Sequence, residues 1–505
     1  MLNLKSKKAL VMGLGLYEDG SGIAATRFLL SHGAKVTVTD LKSKEQLKDQ
    51  IAELERFRKN LDSRLRGNDE ERSGNDEERS GNDEERSGND EERSGNDIKY
   101  VLGRHRKEDF KHQDLILRNP GVPQSSKFLK IARDNKIPIY TDISLFFQLV
   151  DRKRLVGVTG TRGKSTTTTL IYELVKTLDK QAVLAGNITK SPLAQIPLVN
   201  KGGRIVLELS SWMTESLADI KKSPHIAVFT NIYPDHLNTY SGIKDYAEAK
   251  KNIFKFQTLQ NYAVLNRDNS YTKKMGGEVV AQRYWFSLKS FAEENGSFIK
   301  NGRIVFRQNG VEQIMCSISD IKLLGEHNLS NVLAAVTVAG IIGISPKNIK
   351  SVLHRFYGIP NRLELLREVR GVKYYNDTAS TMPEATIVAL RALSSPKPQA
   401  PRSPKQIILI AGGADKGLDF KELAQEIKKY CQAVVLLKGA GTERLKKELK
   451  NFTIVDSLPD AVGIAKSFAT SGDIILLSPA CASFGLFKNE FDRGDQFRQL
   501  VKKIK

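Results

Sequence analysis

Cysteine is scarce in this chain and long apolar runs are missing altogether. The only three cysteines, Cys316, Cys431 and Cys481, stand far apart among 505 residues. They offer neither a disulfide framework nor a paired-cysteine zinc pattern, and they fit a reducing cytoplasm. No stretch reaches the ~18 consecutive apolar residues a membrane-spanning helix requires. The N-terminal "MLNLKSKKALVMGLGLYEDG" runs directly into a glycine turn without a small-residue cleavage site, so it reads as a first strand and not as a signal peptide. What is present is the balance of a globular protein: 40% hydrophobic and 27% charged residues, enough apolar material to bury cores in roughly three domains.

The net charge of +21 raises a nucleic-acid reading. The lysines, however, are spread over the chain with neither an RNA-recognition signature nor aromatic-basic interleaving. A diffuse excess of this kind suits small polyanionic substrates better. The conspicuous exception is acidic. From Gly67 the heptapeptide GNDEERS repeats four times, and residues 67–97 carry a net charge of −9. A period of seven suggests a coiled coil, but the unit has no apolar residue for a seam and contains Gly-Asn-Asp, which breaks helices. With no hydrophobe to offset ordering entropy, residues 62–97 read as a disordered surface loop inserted into the first domain.

Around this insert, short β-branched runs alternate with helical patterns. "KALVMGLG", "AKVTVTD", "IKYVLG", "DLILRNPG" and "IPIYTD" form one series. "RLVGVTG", "RIVLELSS", "HIAVFTNI" and "YAVLN" form a second, and "KYYNDTAS", "KQIILIAGGAD", "AVVLLKGAG" and "DIILLSPACAS" a third. Such alternation predicts an α/β protein of three domains with mainly parallel sheets. The expected boundaries are 1–142, 143–357 and 358–505. Ligands of such sheets collect at the carboxyl ends of strands, where the glycine, asparagine and aspartate clusters lie.

The strongest local signal is "GVTGTRGKST", Gly157 to Thr166. Backbone N–H groups of Gly160, Thr161, Arg162 and Gly163 can curl around phosphate oxygens while the following helix turns its positive end to the same anion. Lys164 would meet the β- and γ-phosphates of ATP, and Ser165, followed by Thr166, would ligate Mg²⁺. Glu208 ends the strand "RIVLE", and "NIYPDHLNTY" places Asp235 and His236 after another, so these groups can converge on the same metal-nucleotide site. In the first domain Gly13, Gly15 and Leu16 form the first strand-to-helix turn and Asp40 ends the next strand. Glu18 stands where a dinucleotide fold wants its third glycine, which argues against NAD.

These motifs, together with "YAEAK", "GEHNLSN", "GIPNRLE", "YYNDTAST" and "LLSPACASFGLFKNEFDRG", resemble the Mur ligase family. The resemblance runs through all three units and lapses only across the repeat. It implies an N-terminal Rossmann-like UDP-sugar domain, a central phosphate-loop ATPase domain and a C-terminal Rossmann-like domain. The activity it implies is an ATP-dependent amide ligation that adds D-glutamate to UDP-N-acetylmuramoyl-L-alanine through an acyl phosphate, in peptidoglycan synthesis. Folylpolyglutamate-type ligases share the loop and the metal histidine, and a basic nucleic-acid-binding ATPase is the reading of another class. By resemblance Lys164, His236 and Lys250 are catalytic, and Ser165, Glu208, His236 and Lys250 hold Mg²⁺, Lys250 as a carbamate. Its neighbour Lys251 is the alternative register. Asn328, Arg362 and Asp377 would contact ATP. Gly103 and Asn187 would join Gly13, Gly15, Leu16 and Asp40 on the UDP-sugar. Thr381, Lys416, Ser483 and Phe491 or its neighbour would meet D-glutamate.

Three positions depart from the family pattern: Arg162 within the loop, Met213 after "SSW" and Ala379 after "ND". None removes a metal or phosphoryl-transfer group. The expected partners are these small molecules, with no nucleic acid and no membrane, in a cytoplasmic monomer.

Overall fold

In the computed structural model, which describes residues 3–15, 20–73, 98–187, 190–235, 239–323, 325–394 and 406–504, the three series of apolar runs become three separate sheets. The first has five parallel strands in the order Ile98–Leu102, Lys35–Asp40, Lys8–Met12, Leu115–Arg118, Ile139–Tyr140. The second has nine, beginning at one edge with Val183–Gly186, Ile205–Glu208, Leu155–Thr159, Ile226–Phe229 and Tyr262–Asn266 in parallel register. Every residue of Leu155–Thr159, Ile205–Glu208 and Ile226–Phe229 is buried, as strands covered on both faces require. Each such Val, Leu or Ile contributes roughly 1.5–3 kcal/mol of burial.

The nine-stranded sheet continues through Gln282–Ser287 and ends in an antiparallel meander, Gly296–Lys300, Arg303–Gln308 and Val311–Ser317, that the sequence reading did not anticipate. Its two turns are Asn301-Gly302 and Asn309-Gly310, all four residues with positive φ. Paired positive φ matches the right-handed twist of a two-residue hairpin, and asparagine followed by glycine adopts it at least cost. The third sheet runs Glu364–Val369, Val372–Asn376, Ile474–Leu477, Ile407–Gly412, Cys431–Leu437, Thr453–Val455, antiparallel only at its first pair.

The three-domain α/β expectation is therefore met, with one correction in the first domain. The helix beginning at Lys48 extends to Ser73, so residues 62–73, expected to be disordered, are helical. Arg58 pairs with Glu55 and Asp62 along this helix, and because a nucleated helix extends at one hydrogen bond per residue, the roughly 1 kcal/mol that Gly67 costs and the smaller costs of Asn68 and Asp69 do not end it. The remainder of the expected loop, residues 74–97, lies outside the described residues.

One apolar core is shared by the first two sheets. Ile23 of the first helix, Phe146 of the helix Asp142–Leu149, and Leu193 and Ile196 of the central unit all belong to it. The third sheet keeps two cores of its own, one on each face.

Candidate active site

The loop after Leu155–Thr159 turns through Gly160, at φ 145°, and Gly163, at φ 81°, before the helix Lys164–Val175. Neither can carry a side chain: a Cβ on Gly160 would lie 2.0 Å from Thr230 Oγ1, and one on Gly163 would lie 2.2 Å from Asn331 Oδ1. The segment Thr230–Tyr233 clamps the loop. Thr161 and Arg162 donate their backbone N–H groups to Asn231 O and Oδ1, both at 2.9 Å. Thr230 Oγ1 donates to Arg162 O at 2.7 Å, and Tyr233 N to Thr161 Oγ1 at 3.0 Å. Arg162, one of the departures from the family pattern, stacks its guanidinium over the Tyr233 ring. Lys164 Nζ folds back onto the loop, donating to Gly160 O and Thr161 O at 3.0 and 2.9 Å. Desolvation pulls its pKa down, against the nearby carboxylate of Glu208.

A cleft of about 1600 Å³ opens here between the second and third domains. It gathers the loop from Thr161 to Thr166 with Asn187, Glu208, Asn328, Arg362, Asp377, Thr381 and Phe491. Glu208 is buried; its Oε1 accepts from Asn187 Nδ2 at 3.0 Å, while Oε2 has no partner. An acidic oxygen left bare in a buried site, facing the loop that carries Ser165, is the donor chemistry of a hard divalent cation. No trio of His, Cys, Asp or Glu forms a metal cluster among the described residues, and His236 lies outside them.

Behind the loop the helix Ile243–Lys255 places the two candidate lysines in different surroundings. Lys250 is 1% exposed, with Nζ 4.7 Å from the centroid of the Tyr246 ring. Its pKa lies well below the ordinary lysine value, chiefly through burial and then through the charge of Lys164. Lys251 points away instead and pairs with Glu248 and Glu278.

Across the cleft Arg362 is flanked by Asn361 and Leu363, both with positive φ. That bend is held from below: Leu363 N donates to Asp377 Oδ1 at 3.0 Å, and Ser478 Oγ to Asp377 Oδ2 at 2.7 Å. Burial raises the Asp377 carboxyl to about 6 despite these donors. Lys416 Nζ donates to Thr381 Oγ1 at 3.0 Å, and the paired backbones of Ala414 and Ala482 bring the Lys416 loop beside buried Ser483. Phe491 is half-exposed in the first turn of the helix Glu490–Lys503. Sequence reasoning missed Arg493, wholly buried, which donates to Thr378 Oγ1 and O at 2.9 and 3.0 Å and so ties this helix to the "NDTAST" loop. An arginine in the "FDRG" run was the available signal.

Gly13, Gly15, Asp40 and Gly103 form a separate group at the strand ends of the first sheet. Asp40 Oδ2 accepts from Leu14 N at 2.8 Å and Oδ1 from Lys42 N at 2.9 Å, while Gly103 N donates to Lys42 O. Leu16 lies outside the described residues. Asn187, expected with this group, sits on Glu208 in the central cleft.

Two family models match, the Mur ligase middle domain over residues 158–339 and the Mur ligase, glutamate ligase domain over residues 361–481. A UDP-N-acetylmuramoylalanine–D-glutamate ligase of Roseiflexus sp. (strain RS-1) is 38% identical over 519 residues, covering 99% of both chains. The chain belongs to the Mur ligase family. A relative of the same name from Alkaliphilus metalliredigens is 34% identical over 510 residues, covering 100% of both. In fold, this Mur ligase is similar to the UDP-N-acetylmuramate-alanine ligase of Thermotoga maritima, with a TM-score of 0.55 at 18% identity over 99% of this chain and 100% of that one. Membership makes it an ATP-dependent ligase.

Proposed function

We propose that this Mur ligase joins D-glutamate to UDP-N-acetylmuramoyl-L-alanine at the expense of ATP, in peptidoglycan synthesis. The observation that carries the reading is the full-length identity to relatives bearing the D-glutamate ligase name. The cleft geometry supports the chemistry. A carboxylate is a poor electrophile, so its oxygen first attacks the γ-phosphorus and ADP leaves. The amine of D-glutamate then attacks the acyl carbon, phosphate departs and the amine loses a proton.

In this reading the loop N–H groups from Gly163 to Thr166 hold the phosphates, those of Thr161 and Arg162 being already donated to Asn231, and Lys164 swings from its carbonyl contacts onto the transferring phosphoryl group. Asn328, Arg362 and Asp377 orient the nucleotide from the opposite wall. Ser165, Glu208 and His236 would hold Mg²⁺, which would neutralise phosphate charge. Lys250 suits a carbamate because burial favours its neutral amine, the form that reacts with CO₂. Gly13, Gly15, Leu16, Asp40 and Gly103, with Asn187 between the sites, receive the UDP-sugar. Thr381, Lys416, Ser483 and Phe491 receive D-glutamate, a dicarboxylate matched by the ammonium of Lys416. The domains span 1–142, 143–357 and 358–505, and the enzyme works as a cytoplasmic monomer without nucleic acid.

The test is ADP release by the purified protein. Release should require both UDP-N-acetylmuramoyl-L-alanine and D-glutamate, and L-glutamate should not substitute. ATP consumption that ignores either compound would refute the reading.

A further inference from the structure

Asp142 lies where the first two domains meet and belongs to neither substrate group described above. It opens the helix Asp142–Leu149, which Thr141 caps through a reciprocal pair of hydrogen bonds with Ser144. The carboxylate is 1% exposed. Its Oδ2 accepts from Ser191 Oγ at 2.8 Å and its Oδ1 from Ile143 N at 2.8 Å. Ser21 lies near the same carboxylate, and with Ser191 it opposes the upward pull of burial on the acid.

The two serines belong to different sites. Ser21 starts the helix Ser21–Ser31 that follows the Gly13–Gly15 turn. Ser191 closes the turn in which Gly186 N donates to Lys190 O and Asn187 reaches Glu208. The helix Ser21–Ser31, the helix Asp142–Leu149 and the short turn Pro192–Gln195 pack on one another through one apolar core, so displacement of one piece is felt by the others. A buried carboxylate is costly unless its oxygens are satisfied, and here Oδ2 is satisfied by the Ser191 hydroxyl from across the domain junction while Ser21 of the first domain lies close by.

We propose that Asp142 is a positioning residue that fixes the sugar-nucleotide turn against the Asn187–Glu208 pair. The inference rests on the ligase reading for its kinetic consequence. With the latch intact, the acceptor carboxylate and the γ-phosphoryl group are held in register. Without it, both ligands still bind but meet out of alignment, and small misplacements of reacting groups cost large factors in rate.

The test uses the full chain with Asp142→Ala, Asp142→Asn, Ser191→Ala and the double variant Ser21→Ala/Ser191→Ala. Expected is a loss of kcat of about tenfold or more in Asp142→Ala and the double variant, with KM for D-glutamate unchanged. Asp142→Asn, which keeps an acceptor for the serines, should recover most of the rate. Hydrogen exchange without substrates should show faster exchange at Gly186 and Asn187 and at the start of the helix Ser21–Ser31 in the same variants. Should Asp142→Ala fail to fold, the double variant decides. Wild-type kcat and unchanged exchange in the serine variants would overturn the latch. Wild-type protein inactive with D-glutamate would instead refute the ligase reading, leaving the exchange measurement to judge the latch alone.

Discussion

Asn187 donates its side-chain amide to Glu208 Oε1 at 3.0 Å and leaves Glu208 Oε2 buried without a partner. One oxygen is thus fixed by the protein and the other is bare, the oxygen that in the proposed function would meet Mg²⁺. Glu208→Gln keeps the shape and the Asn187 contact but removes the charge. ADP release should fall about 10²- to 10³-fold, the scale of losing one charge-stabilising group. Mg²⁺ with ATP should raise the Tm of the wild type and leave that of the variant nearly unmoved. Equal Mg²⁺ responses in the two proteins would remove Glu208 from the metal site.

Lys250 and Lys251 are adjacent in sequence and opposite in environment, which makes them a matched pair for mutation. Lys251 forms ion pairs at the surface with Glu248 and Glu278, worth about 0–1 kcal/mol, so Lys251→Ala should keep activity within about twofold. Lys250→Ala should abolish turnover. A carbamate also requires dissolved CO₂: wild-type activity should decline in decarbonated buffer at pH 7.5 and return when bicarbonate is added. An activity indifferent to bicarbonate would leave Lys250 a role as an amine only.

Asp377 predicts a dependence on pH. Its carboxyl is raised from 3.8 to about 6, chiefly by burial. Between those values the folded protein keeps a proton that the unfolded chain has released, so stability falls as pH rises through this window. The full penalty, on the order of 3 kcal/mol, is in place above about pH 6. Asp377→Asn should flatten the stability profile between pH 4 and 6 and raise the Tm at pH 7.5, while raising the KM for ATP. Urea melts of the two proteins across this range read the difference directly. A wild-type profile that rises from pH 4 to 6 would contradict the burial argument.

Much of the cleft was legible because its chemistry is local. The phosphate loop writes its glycines, Lys164 and Ser165 into ten consecutive residues, and strand ends carry Glu208 and Asp377 as punctuation. What was illegible depends on long-range contacts. Arg493 matters through Thr378, 115 residues away. Asp142 gains meaning only from Ser191, and its neighbours in sequence announce nothing more than a helix start. The meander from Gly296 to Ser317 is a different case: its two Asn-Gly turns were in plain view, but its strands are short and interrupted beside the long buried runs. The helix through Ser73 shows composition overridden by continuity, since a helix already nucleated can extend across residues that would not start one.

That extension refines what can be removed. Residues 62–73 continue a helix whose earlier turns carry Leu54, in the core, and Phe57 and Leu61, packed against it, so excising them shortens a supported element. Residues 74–97 contain only Gly, Asn, Asp, Glu, Arg and Ser and can contribute no apolar surface to any core. Because closure entropy changes only slowly with loop length, shortening the connection between Ser73 and Ile98 has a small effect on stability, about 0.6 kcal/mol per halving. Replacing residues 74–97 with a short Gly-Ser linker should therefore leave Tm nearly unchanged and D-glutamate-dependent ADP release within about twofold. A deeper deletion that begins at residue 62 should lower Tm further, because it also removes helix. Loss of turnover in the 74–97 replacement with Tm preserved would show that the acidic repeat contributes directly to catalysis.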